Sequence, residues 1–278
     1  NTESLMESSA MYGCSAAGVY MEKFIRRLFG RFYIVPYSEV LSYKGSWRKG
    51  AFHGYGVLEY ANGAIYKGNF KYGVKHGFGL YTSVSGFRYE GEWSDGRQTG
   101  SAKISYKNGD WYEGEVKNGL RCGLGELSEV SSQRIFKGNW KNGSLVGDVQ
   151  IKSSDWKYSG TIPEPHGYAN GSLTYQDGSV YVGELTTFTR NGKGTYFSAS
   201  GSQIEGEWSD DMNVDQATAT DGEGIQWFGK FKNLKPQGFM TVRLPNGQKY
   251  DGVWTDGQMQ RAFSVRNRRN AETVYHFR

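Results

Sequence analysis

Apolar and polar residues alternate with period two through short runs of this chain, and pairs such as Asn-Gly or Asp-Gly separate many of the runs. In YKGSW, Tyr43, Gly45 and Trp47 fall on one side and Lys44 and Ser46 on the other. That alternation predicts a half-buried strand. A turn follows, as at Asp95-Gly96, Asn118-Gly119, Asn142-Gly143 and Asp256-Gly257. These pairs supply the positive φ that tight hairpin turns require. A second strand comes next, with Gly56, Leu58 and Tyr60 on one face in the first case, and Ala102, Ile104 and Tyr106 in the third. A further turn, Asn62-Gly63 or Asn108-Gly109, returns the chain.

The hairpin then starts again. Units begin at Tyr43, Tyr66, Tyr89, Tyr112, Phe136, Tyr158, Tyr181, Ile204, Trp227 and Tyr250, mostly 23 residues apart. A lone hairpin of this size is marginal, so units must stack to bury a core. The fold expected is all-β: an elongated, curved antiparallel β-hairpin solenoid of about ten units over residues 43–265. At about 10 Å per unit it would extend on the order of 100 Å. Gly45, Gly68, Gly91 and Gly114 recur two residues after each unit's first ring, and a side chain there is expected to clash with a stacked ring or block a bend. Trp47 and Trp93 are the matching structural rings.

Residues 18–35 break the period. Met21, Phe24, Ile25, Leu28, Phe29 and Phe32 fall at helical spacing, with Lys23, Arg26, Arg27 and Arg31 on the other face. An amphipathic helix is predicted there, after a flexible segment at 1–17. It would lie on the first hairpins, dock on a partner, or meet an anionic membrane surface through Phe24, Ile25, Arg26, Arg27, Leu28 and Arg31. Residues 266–278 are expected to form a basic cap or tail.

The repeated Tyr-x-Gly-x-Trp, then Gly50, then His53-Gly54-x-Gly56, closing on Asn62-Gly63, resembles the MORN repeat. Tyr66, Gly68, Phe70, Gly73, His76, Gly77 and Gly79 restate it. The resemblance covers roughly 43–260. It implies a curved hairpin solenoid serving as a scaffold or adaptor in cytoskeletal, ciliary or membrane-junction assemblies, hence a cytoplasmic location. Unit six departs at Pro163 and Pro165, and unit eight loses glycines through an acidic run at Asp210, Asp211, Asp215 and Asp221.

Charge and candidate chemistry add little. The net charge of +5, from 33 basic and 28 acidic residues, is too mild to signal a nucleic-acid partner. Cys14 and Cys122 make no disulfide framework, and no apolar run is long enough to span a bilayer. No secretory leader is expected, which makes the Asn142 and Asn170 glycosylation matches chance. His53 and His76 occupy equivalent positions in adjacent units without a further ligand, so no metal site is expected. Gly192-Lys193-Gly194-Thr195 falls on the repeat's own glycines and is not read as a phosphate loop. Glu90, Glu92, Glu113 and Glu115 are expected to line a solvated face with cross-strand pairing. No catalytic residue and no cofactor are expected.

The function expected is a non-enzymatic scaffold that binds an extended or helical protein segment along an aromatic-lined surface. Tyr60, Tyr81 and Tyr106 are the candidate contacts, because they recur at unit spacing on one face. Peripheral membrane tethering by the basic helix is the alternative. Membership of a larger complex stays open.

Overall fold

A computed structural model describes residues 39–163, 169–266 and 272–273. They are all-β, with no α-helix among them. The helix expected at 18–35, with Phe24, Ile25, Arg26, Arg27, Leu28 and Arg31, lies outside the described residues, as do Cys14, His166, Pro165 and most of the basic tail.

The chain divides into two compact units, one up to Leu145 and one from Val146. The first carries β1 (Val40–Arg48), β2 (Ala51–Tyr60), β3 (Ile65–Lys71), β4 (Val74–Thr82), β5 (Arg88–Ser94), β6 (Arg97–Ser105), β7 (Trp111–Lys117), β8 (Leu120–Glu129) and β9 (Arg134–Lys141). From β1 to β9, consecutive strands of this unit pair antiparallel. The second carries β10 (Ser144–Lys152), β11 (Trp156–Ile162), β12 (Ala169–Tyr175), β13 (Val180–Thr186), β14 (Thr189–Phe197), β15 (Gln203–Ser209), β16 (Asn213–Thr220), β17 (Gln226–Lys232), β18 (Lys235–Arg243), β19 (Lys249–Thr255), β20 (Gln258–Arg266) and β21 (Glu272–Thr273). Here too each strand pairs antiparallel with its successor.

The first unit's core explains the repeat. Tyr66, Tyr89 and Tyr112 are fully buried at 0% exposure, although each stands on a sheet only one layer thick. The ring folds back along its own strand. Tyr66 Oη donates to the Asn69 carbonyl at 3.0 Å, Tyr89 Oη to that of Glu92 at 2.8 Å, and Tyr112 Oη to that of Glu115 at 2.9 Å. The same bond recurs in the second unit from Tyr158 to Thr161 at 3.2 Å and from Tyr181 to Glu184 at 2.9 Å. In most of these hairpins the ladder slips just after the glycine, between Gly68 and Phe70, Gly114 and Glu115, and Gly183 and Leu185. The hydroxyl supplies a donor to the carbonyl at that bulge. Burial pushes the Tyr112 phenol up to about 12, so it stays a neutral donor.

Most of these rings cover two glycines that face each other across the hairpin. Gly45 pairs with Gly56, Gly68 with Gly79, and Gly114 with Gly125. A Cβ on Gly114 would lie 2.5 Å from Gly125 Cα and 2.6 Å from Tyr112 Oη. On Gly45 it would lie 2.5 Å from Gly56 Cα and 2.6 Å from Tyr43 Oη. Gly91 faces Ala102, and a Cβ there would meet the Ala102 methyl at 2.6 Å. The glycine requirement is therefore steric: ring and facing backbone occupy the space.

Where the tyrosine is missing, the space fills differently. Trp227 heads the β17–β18 hairpin, Gly229 faces Met240, and that Met240 is fully buried with its sulfur against the glycine. Ile204 heads the β15–β16 hairpin, and the Val214 side chain and the Ala217 backbone fill the space beside Gly206. Ring and glycine are exchanged together, as close packing demands.

A second ring links neighbouring hairpins. Trp93 Nε1 donates to the Gly79 carbonyl at 3.2 Å, Trp140 Nε1 to Gly125 at 3.0 Å, and Trp208 Nε1 to Gly194 at 2.9 Å. The same indoles meet the preceding units' tyrosines edge to face, Tyr66–Trp93 at 5.4 Å and Tyr181–Trp208 at 5.4 Å between centroids. Trp47 differs: it remains 44% exposed, because β1 has no preceding hairpin among the described residues for its ring to cover.

Several hairpin turns have positive φ at both central residues, as at Asp95-Gly96 (49° and 81°) and Asn118-Gly119 (52° and 81°). Thr187-Phe188, Asp210-Asp211 and Asn233-Leu234 adopt the same geometry with no glycine. Unit eight carries further irregularity: β16 slips in register on both sides, and Gln216 has φ 49°.

Candidate functional site

The ninth residue after each unit's first ring sits early in the second strand of the hairpin. In three units it is a cation: Lys75, Arg121 and Arg190. Aromatic rings surround all three. Arg121 lies 4.4 Å from the Trp140 centroid and 5.8 Å from that of Tyr112. Arg190 lies 4.8 Å from Trp208, 5.0 Å from Tyr196 and 5.8 Å from Tyr175. Lys75 Nζ has four rings, Trp93 at 4.5 Å, Tyr81 at 5.0 Å, Tyr60 at 5.2 Å and Tyr66 at 5.3 Å. Ring faces favour a cation, which offsets part of the cost of drying it.

The two arginines also hold an oxygen from the next hairpin turn. Arg121 Nη2 donates to the Gly143 carbonyl at 2.9 Å. Arg190 donates through Nε and through its backbone N–H to Asp211 Oδ1, both at 2.9 Å. Lys75 has no carboxylate partner and no hydrogen-bond acceptor among the described residues. Burial pushes its ammonium down to about 8.

Lys75 lies instead at a cavity of about 410 Å³. Tyr60, Tyr81 and Trp93 form aromatic walls, with Asn62, Gln98 and Asn118 as polar neighbours and Glu39 and Arg97 as the other charged groups. Tyr60 is 8% exposed, and its buried hydroxyl has no hydrogen-bond partner among the described residues. Of the expected contacts, Tyr60 and Tyr81 thus line one cavity, 6.2 Å apart between centroids. Tyr106 is not in its lining. It joins through Phe87, which lies 6.4 Å from Tyr81 and 5.9 Å from Tyr106. Tyr81 and Tyr106 are half-buried, each with surface left to offer a partner.

The opposite face carries a feature that period-two reading passed over. Tyr55, Phe78 and Leu124 stand between the two closing glycines of their units and are 62%, 56% and 65% exposed, with Phe239 at 60% in the second unit. The shared place of Tyr55, Phe78 and Leu124 was visible in the G-x-G spacing, whereas Phe239 is followed by Met240.

The glutamates divide. Lys103–Glu113 at 3.2 Å and Lys137–Glu126 at 4.0 Å are cross-strand pairs as expected. Glu92 and Glu115 do something else: Glu92 Oε1 accepts from the Ser101 amide at 3.1 Å and Glu115 Oε1 from that of Leu124 at 3.2 Å. Each carboxylate occupies the space beside the first closing glycine. Gly100 (φ 63°) has no room for a Cβ, which would fall 2.5 Å from the Glu92 carboxyl. The acidic run of unit eight is also engaged internally. Asp211 meets Arg190, Asp215 meets Lys230 at 2.7 Å, and Asp221 accepts from the Ile225 amide at 2.9 Å.

His53 Nδ1 accepts weakly from the Tyr72 amide at 3.5 Å, and His76 Nδ1 lies 3.9 Å from Asp95. Among the described residues no three His, Cys, Asp or Glu side chains cluster as metal ligands. Burial pushes the Cys122 thiol up, away from a reactive thiolate. No helix among the described residues is long and apolar enough to cross a membrane.

The family pattern of the MORN repeat matches residues 43–65, 66–88, 89–111 and 112–128 in tandem, and 189–203 further on. The chain carries MORN repeats. Beyond these matches the same hairpin persists: Gly160 still faces Gly171, as Gly68 faces Gly79. No curated protein matches the chain. Among solved structures, the G-box domain of the microcephaly protein CPAP is similar over 66% of this chain and 97% of its own, at 14% identity and a TM-score of 0.40. The TCP domain of Drosophila melanogaster SAS-4, solved with a proline-rich motif of Ana2, covers 72% of this chain and 85% of its own at 12% identity, with a TM-score of 0.23. Likeness at these scores carries no argument about role.

Proposed function

We propose that this MORN-repeat chain is a non-enzymatic scaffold that holds a segment of a protein partner along the ring row Tyr60–Tyr81–Phe87–Tyr106. The observation that carries the reading is the row itself: four rings in successive contact, two of them half-buried tyrosines, beside a cavity of about 410 Å³. Amphipathic rings of this kind supply large contact area at small entropic cost, and such residues dominate interface energetics. An extended or helical segment lying across the hairpins would meet one ring per unit.

Proximity labelling in the native cell is the way to name the partner and to test the cytoskeletal or ciliary setting that the repeat family implies. With that partner in hand, Tyr81→Ser combined with Tyr106→Ser is expected to weaken binding at least ~tenfold, while the far-ultraviolet circular dichroism stays that of the parent. Tyr60 is left in place because its burial belongs to the fold. Full affinity in the double variant would reject the ring row as the docking surface.

A further inference from the structure

Lys75, Arg121 and Arg190 share one position in the repeat and one aromatic setting, yet among the described residues only the arginines have an oxygen to bind. An ammonium held among four rings without an acceptor is costly. Beside it, the Tyr60 hydroxyl is buried and likewise unpartnered among the described residues. Both residues line the same cavity, which is large enough for a side chain. A cation and a neutral hydroxyl carried by two residues of one lining can together serve a single oxygen anion.

We propose that this cavity is a carboxylate-binding site, in which one carboxylate of an acidic partner segment accepts from Lys75 Nζ and Tyr60 Oη. The inference rests on the scaffold reading above and specifies what the bound segment must carry. The rings Tyr81 and Trp93 flank the carbon chain that bears the carboxylate, and Arg97 adds positive charge at the wall. Glu39, also in the lining, disfavours a doubly charged guest, so a carboxylate fits better than a phosphate. Arg190 with Asp211 shows the same ring-caged cation taking a carboxylate within this chain.

The test uses the full chain and four probes: acetyl-Gly-Glu-Gly-amide, acetyl-Gly-Gln-Gly-amide, acetyl-Gly-Gly-Gly with a free C-terminal carboxylate, and inorganic phosphate. Binding is read from the NMR signals of the Lys75 ε-methylene and the Tyr60 ring as each probe is titrated. Saturable shifts with the Glu peptide, at least ~tenfold tighter than with the Gln peptide, are expected. Comparable binding of the free-carboxylate peptide would assign the site to chain ends as well as to acidic side chains. Lys75→Met is expected to abolish the shift of the Tyr60 ring while the fold persists, and Tyr60→Phe, which keeps the ring, to weaken binding several-fold. Equal binding of Glu and Gln peptides, no binding of either carboxylate, or tighter binding of phosphate would overturn the proposal. Such a failure leaves the ring-row reading standing, because Tyr81→Ser with Tyr106→Ser tests that surface separately.

Discussion

Gly114→Val is expected to cost ~4 kcal/mol or more, enough to unfold the first unit around β7. An ordinary glycine-to-valine exchange in a strand would be favourable by propensity. Here the new Cβ would fall 2.5 Å from Gly125 Cα, 2.6 Å from the Leu124 carbonyl oxygen and 2.6 Å from Tyr112 Oη. None of these is the loose end of a flexible chain. Backbone stands on one side, and on the other a buried ring is tied at 2.9 Å to the Glu115 carbonyl. Relief would require Tyr112 to leave its slot, which gives up its burial and exposes the carbonyl at the bulge. A milder outcome is expected at Gly125→Ala, since Ala102 already fills the equivalent place beneath Tyr89. Urea unfolding followed by tryptophan fluorescence distinguishes the two. Gly114→Val within ~1 kcal/mol of the parent would show that the ring does not occupy that space.

Arg190→Ala is expected to cost ~3 kcal/mol in the second unit. Arg190 is 5% exposed, and three rings and one carboxylate close around it. Its loss leaves a cavity between Tyr196 and Trp208 and strips Asp211 of its Nε partner, so that the backbone N–H of residue 190 alone holds the carboxylate that anchors a turn of positive φ without glycine. Asp211→Asn keeps the shape and one acceptor. Because Asp211 is 36% exposed, solvent screens its charge, and a smaller loss of ~1 kcal/mol is expected. Thermal unfolding of both variants measures the order. A larger loss for Asp211→Asn than for Arg190→Ala would mean that the turn, rather than the caged arginine, carries the stability.

Much of the fold was legible in the chain because the repeat writes local chemistry many times over. The turns at Asp95-Gly96 and Asn118-Gly119 announce their own φ, and Leu58, Ile104 and Leu173 announce the buried face. The glycine column implied a clash with a ring, and Tyr43 and Tyr112 show the clash with their hydroxyls. What sequence could not show depends on neighbours distant along the chain. The turn at Asp210-Asp211 lacks glycine because Arg190, 21 residues earlier, holds it from outside. Glu92 and Glu115 look like members of a solvated charged face until the bulge turns the amides of Ser101 and Leu124 toward them. Lys75 reads as an ordinary strand lysine, since the four rings that enclose it come from β2, β3, β4 and β5. The candidate site was half visible: unit spacing found Tyr60 and Tyr81 but said nothing of the cation between them.

The exchange of ring for side chain across a hairpin offers the sharpest measurement. Tyr112→Ile, Gly125→Met and the double variant together form a cycle that removes the ring and places opposite Gly114 the methionine that Met240 places opposite Gly229. If the tyrosine ring fills the space above the glycine pair, methionine should be poorly tolerated beneath Tyr112 and accepted beneath isoleucine, with a favourable coupling of ~2 kcal/mol. Additive losses, with coupling below ~0.5 kcal/mol, would contradict the account.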